Sequence, residues 1–153
     1  RRAGQEICLG EITVKAWSLL GLRVSMGWLL VIWGADKIFN TAHGIAVAEK
    51  FYFGFLASDL LLPIAGLVQV LIGLAVVIGI FRKWVYGLQL LFNAASLLAV
   101  SASVIDPWGW YLGNTNALFY PSLIIFAASV LLIAFKGEDR LCLDARWHGP
   151  RAS

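Results

Sequence analysis

Polar sequence is what this chain has least of. Charged residues make up 14% of its 153 residues. The longest connection between apolar runs, Asn40–Phe55, is about sixteen residues. That is too short for an extramembrane domain with a core of its own. Cysteine and histidine are also scarce, at two of each. Neither Cys8 nor Cys142 has a neighbouring Cys or His at metal-ligand spacing, so no zinc or iron–sulfur site is expected. His43 and His148 fall on opposite sides of the membrane inferred below and cannot together clamp a haem. No cofactor held covalently or by metal ligands is expected, and a redox role would use a quinone or a partner's cofactor. The chain also lacks a glycine-rich phosphate loop, a nucleophile elbow and a metalloprotease motif. Its basic residues form no patch with interleaved aromatics, so nucleic acid is not an expected partner.

Apolar sequence fills the rest. Hydrophobic residues reach 60%, and the mean hydropathy is +0.81. Four stretches dominate: Trp17–Phe39, Leu56–Phe81, Trp84–Ile105 and Ala117–Phe135. Each is about 20 residues, enough to cross a hydrocarbon core of ~30 Å as a helix. The expected fold is all-α, a single integral-membrane domain over residues 1–153 forming a four-helix bundle. The first stretch is too long for a signal peptide and lacks a small-residue cleavage pattern, so it is expected to remain as a span.

Basic residues orient the bundle. Four spans put both ends of the chain on one side. That side holds Arg1, Arg2, Lys15, Arg23, Arg82, Lys83, Lys136, Arg140, Arg146 and Arg151. Only Lys37 and Lys50 of the twelve lie on the other. Lys and Arg resist translocation, which places both termini in the cytoplasm, here of a bacterial or archaeal membrane. The net charge of +3 then reflects topology and contact with membrane lipids. Cys8 and Cys142 both face the cytoplasm, so no disulfide is expected. Asn40–Phe55 interleaves Ile45, Val47, Phe51 and Phe53 with polar residues, as a short interfacial helix would. Trp108, Trp110 and Tyr111 suit the headgroup level, with a lid over a ligand as the sharper alternative.

Polar groups inside the spans are the functional pointers, because hydrocarbon penalises them. Arg23, Gly27, Leu30, Gly34 and Lys37 recur at steps of four and three, which places them on one helical face. The glycines would let another helix approach closely. Arg23 and Lys37 could also simply snorkel to the two interfaces. Gly66, Gln69 and Gly73 share a face in the second stretch, and Pro63 would bend its outer half. Gln89, Asn93 and Ser96 share a face in the third. A Gln69–Asn93 hydrogen bond would satisfy both amides, at about 0.6 kcal/mol. The expected bundle-interior polar set is Arg23, Gln69, Gln89 and Asn93. At the outer rim, Lys37, Asp36, Asp59, Asp106, Tyr111 and Tyr120 could pair in the interface or surround a quinone or another ligand. No two of them have a spacing that demands acid–base catalysis, and no catalytic residue is assigned.

Several short motifs resemble the DoxX-like family of four-helix membrane proteins. Gly34-Ala35-Asp36-Lys37 is similar to the Gly-x-x-Lys that ends that family's first helix. Gly66-Leu67-Val68-Gln69-Val70-Leu71-Ile72-Gly73-Leu74, followed by Gly79 and Arg82, resembles its glycine-spaced second helix and the basic residue after it. Gly137-Glu138-Asp139-Arg140-Leu141-Cys142-Leu143-Asp144-Ala145 is similar to its closing Gly-x-Gly-Arg-x-Ser-Leu-Asp-Ala. Gln69 replaces a common Glu and cannot carry a proton. Glu138, Asp139 and Cys142 also depart from the pattern. The resemblance implies a four-helix bundle associated with redox systems, including thiosulfate:quinone oxidoreductase and oxidative-stress complexes.

Three functions follow as expectations. The leading one is a non-catalytic accessory or scaffold subunit of a redox-linked membrane complex, with other membrane subunits as partners. The alternative is a quinone-reactive oxidoreductase subunit, with the headgroup at Lys37 and the outer rim. A small transporter ranks third, because no carboxylate ring and no inverted repeat of broken helices is present.

Overall fold

The computed structural model describes residues 2–55 and 57–148, with side chains described for 13–55 and 57–145. The side chains of Arg1, Arg2, Cys8, Arg146, His148 and Arg151 lie outside that range, and so does Leu56. Seven α-helices and one 3₁₀ turn make up the secondary structure, with no strand among the described residues. The helices are α1 (Arg2–Phe39), α2 (Thr41–Phe51), α3 (Leu61–Ile78), α4 (Arg82–Ala99), α5 (Ser101–Ile105), α6 (Pro121–Ala134) and α7 (Leu143–His148). Three segments are long and apolar enough to cross a membrane: Thr13–Phe39, Leu61–Ile78 and Ala117–Ala134.

The glycine face of α1 does what its spacing predicts. A Cβ on Gly27 would sit 2.7 Å from the Gly73 carbonyl oxygen, and one on Gly73 would sit 2.7 Å from the Gly27 oxygen. Gly34 and Gly66 repeat the arrangement one heptad away, at 2.7 and 2.6 Å. The two pairs run in opposite sequence directions, so α1 and α3 are antiparallel with backbones in direct contact. This is the most extensive helix pairing in the chain. Small residues allow that approach, and dispersion along the seam rewards it. Beyond it, α3 touches α4, α4 packs on α6, and α6 returns to α1. Val76, Val85, Tyr86 and Leu132 form a buried cluster where these helices meet.

Three boundaries differ from the sequence reading, each for a local reason. Pro63 does not bend a helix. It lies in the first turn of α3, where an absent N–H breaks no helical bond. Arg82 and Lys83 are not a loop but the first turn of α4. The Asp144 carboxylate caps that turn, accepting from the N–H groups of Phe81 at 3.1 Å and Arg82 at 2.9 Å. The third apolar stretch is interrupted at Val100, between α4 and α5. The short amphipathic helix expected in Asn40–Phe55 is α2.

Candidate functional site

Gly79 ends α3 in the left-handed conformation, at φ 77°. A Cβ there would meet the Cys142 Cβ at 2.6 Å and the Arg23 guanidinium at 2.9 Å, so only glycine lets the tail lie against this helix end. The tail's Asp139 then reaches Arg23 across 116 positions of sequence. Arg23 Nη1 donates to both carboxylate oxygens, at 3.0 and 2.8 Å, and Nη2 donates to the Leu141 carbonyl at 2.7 Å. The Tyr86 hydroxyl donates to the same carboxylate at 2.9 Å. Arg23 is 2% exposed and Asp139 1%, so Arg23 does not snorkel: its charge is met inside the protein. Arg82 Nη1 donates to the Lys136 and Asp139 carbonyls at 2.6 and 2.9 Å. Lys15 pairs with Glu138 and lies over the Phe135 ring. A small cavity of about 100 Å³ opens between Lys15, Gly137, Glu138 and Arg140.

A second polar cluster joins α4 to α6. Gln89 Nε2 and Asn93 Nδ2 both donate to Ser129 Oγ, at 2.9 and 2.8 Å. The hydroxyl in turn donates to the Ile125 carbonyl at 2.8 Å. All three side chains are buried. The expected Gln69–Asn93 bond is not formed. Asn93 faces α6, while Gln69 lies on the glycine face of α3 and faces α1. There its Oε1 accepts from Lys37 Nζ at 2.8 Å, and Lys37 also donates to the Trp33 carbonyl at 3.3 Å.

The six outer-rim residues go to separate tasks. Asp36 takes His43 as its partner at 2.8 Å. Lys37 holds Gln69. Asp59 is exposed. Asp106 is buried and accepts from the N–H groups of Trp110, Tyr111 and Leu112, at 3.0, 2.7 and 2.8 Å. The amides of Leu112 and then Tyr111 hold its carboxyl below the usual carboxylate range, against the opposing effect of burial. Tyr111 and Tyr120 are exposed. Among the described residues, the Tyr111 N–H to the Asp106 carboxylate is the one hydrogen bond that joins two of the six, and no ion pair does. Arg23, Gln69, Gln89 and Asn93 are all buried.

Sequence reasoning missed Asp139, Tyr86 and Ser129. Asp139 and Ser129 lie far along the chain from their partners, and Tyr86 is one apolar-looking residue among many. The usable signal was Asp139 itself, an acid that closely follows an apolar span.

These clusters position helices; they bring no nucleophile and base together. Among the described residues, no three His, Cys, Asp or Glu side chains are grouped as metal ligands would be. Searches of curated proteins and of solved structures each found no match. The family model described as DoxX does match, over residues 18–102. That stretch holds the α1–α3 glycine seam, Arg23, the Lys37–Gln69 pair and the polar face of α4. It is more than half of the chain, so the chain belongs to the DoxX family.

Proposed function

We propose that the protein is a non-catalytic membrane subunit that anchors or stabilises a larger redox-linked complex. The observation that carries this reading is α6. The segment Ala117–Ala134 has a hydropathy of 2.3, yet only 11% of it is buried within its own chain. A helix so apolar and so little used by its own fold is suited to face lipid or a neighbouring subunit's helices. The polar side chains, by contrast, turn inward into bonds between helices. The redox link is what membership of the family suggests.

In this reading the chain crosses the membrane four times, as an all-α four-helix bundle with both termini in the cytoplasm of a bacterial or archaeal membrane. Two observations support it. The α4 helix hides Gln89 and Asn93 while turning Trp84, Leu91 and Leu98 outward, so its modest hydropathy comes from a partnered inner face. Lys15, Arg23 and Arg82 gather around the tail, while Lys37 lies at the other end of α1. The test is a photo-crosslinking residue in place of the exposed Ile124, activated in native membranes. A single defined membrane protein trapped in high yield is expected. Adducts with lipid alone would remove the reading.

A second reading, a quinone-reactive subunit, is favoured by one feature. Lys37 has a neutral amide as its side-chain partner, whereas Arg23 and Lys15 each have a carboxylate. An ammonium so placed could donate to a quinone carbonyl oxygen. Lys37→Ala would then weaken quinone binding in a titration; unchanged binding removes the site.

A further inference from the structure

Just beyond α2 the chain holds a full-size side chain in the left-handed region. Phe53 has φ 55° and is fully exposed, and Gly54 follows at φ 76°. Strain of this kind persists where the surroundings enforce it, and it directs attention to what the residue builds. Here Phe51, Phe53 and Phe55 form one wall of an apolar groove, and Ala95, Leu98 and Ala99 of α4 form the other. Its volume is about 360 Å³, at the lower end of the range for small-molecule sites. The one hydroxyl on its walls, on Tyr52, donates to Ser96 Oγ at 3.3 Å. The rest of the lining is almost wholly apolar, and the groove suits a hydrocarbon chain.

Its rim carries a charge. Lys50 Nζ lies 5.3 Å from the centroid of the Phe51 ring. Lys50 makes no ion pair with a carboxylate among the described residues. It is one of two basic residues on the outer side of the proposed topology, and the other is engaged with Gln69. We infer that this groove binds one acyl chain of an anionic phospholipid, whose phosphate is met by Lys50. The aromatic wall supplies dispersion along the chain, and the ammonium selects the headgroup. The inference stands apart from the partner-subunit reading, since it needs only a bilayer around the chain.

The full-length protein, purified into micelles with equal phosphatidylglycerol and phosphatidylcholine, can be weighed intact by native mass spectrometry. One retained phospholipid is expected, with phosphatidylglycerol preferred about fivefold, the effect of one lysine near an anionic group. Ala95→Trp fills the groove and should abolish retention. Lys50→Gln should keep a lipid but bring the preference to about unity. Lys83→Gln, at the other end of α4, should change neither. The inference is overturned if wild type retains no lipid, if retention survives Ala95→Trp, if Lys50→Gln leaves the preference intact, or if the retained molecule is a quinone. Should Ala95→Trp misfold, the Lys50→Gln preference decides alone.

Discussion

Removing the Asp139 carboxylate tests the Arg23 cluster most severely. In Asp139→Ala, Arg23 loses both Nη1 contacts and keeps the Leu141 carbonyl as its one hydrogen-bond partner. The Tyr86 hydroxyl loses its acceptor as well. The guanidinium is nearly inaccessible to solvent, so its charge stays buried without compensation. Breaking a buried pair in this way costs about 3–5 kcal/mol. Glu138→Ala is the internal comparison. It removes a half-exposed pair one residue away, worth about 0–1 kcal/mol. Adding Arg23→Met to Asp139→Ala removes the stranded charge and should restore at least half of the loss, a coupling seen only between contacting groups. The assay is reversible unfolding in mixed micelles followed by far-ultraviolet circular dichroism, with all four proteins compared. A loss below about 1 kcal/mol for Asp139→Ala, or a double variant no more stable than the single one, would refute the reasoning.

Three more outcomes follow from the geometry. Gly27→Ala or Gly73→Ala forces a methyl group into the facing carbonyl oxygen and should cost about 1–3 kcal/mol, whereas Gly21→Ala, with nothing within 4 Å, should gain up to about 1 kcal/mol by helix propensity; the same unfolding assay reads both. Ser129→Ala leaves the Gln89 and Asn93 amides without their shared acceptor and should cost about 1–3 kcal/mol, with Ser122→Ala as a helix-matched control. Asp106 has its carboxyl held below its usual range, so its stabilising effect is complete above the ordinary carboxylate range of about 4 and fades as pH falls through the lower folded value. Tryptophan fluorescence from Trp108 and Trp110 should therefore change at acid pH, and Asp106→Asn should remove that transition.

A glycine face on each of α1 and α3 was readable from small residues at steps of seven, but not that the two faces meet each other. Burial of Arg23, Gln69, Gln89 and Asn93 follows from the cost of polar groups in hydrocarbon. Their partners were not readable. A helical face gives direction but not which neighbour lies opposite, so Gln69 was matched with Asn93 when α1 offers Lys37 across the glycine contact. The tail was harder still. Asp139 meets Arg23 midway along α1 and Tyr86 in α4, Asp144 caps the start of α4, and nothing in local periodicity reports contacts so distant in sequence. The same tail moved a boundary: Arg82 looks like a loop residue until the Asp144 cap is seen to start α4 one residue after Phe81. Pro63 was misread because its effect depends on whether it falls inside a helix or in its first turn.

The central claim is that this DoxX-family chain works as a subunit. Native mass spectrometry of the protein extracted gently from its own membrane addresses it most directly. The account predicts a stoichiometric complex with at least one other membrane protein, lost when the exposed face of α6 is made polar. A lone chain or a homo-oligomer carrying a bound quinone would contradict it and put the Lys37 site first.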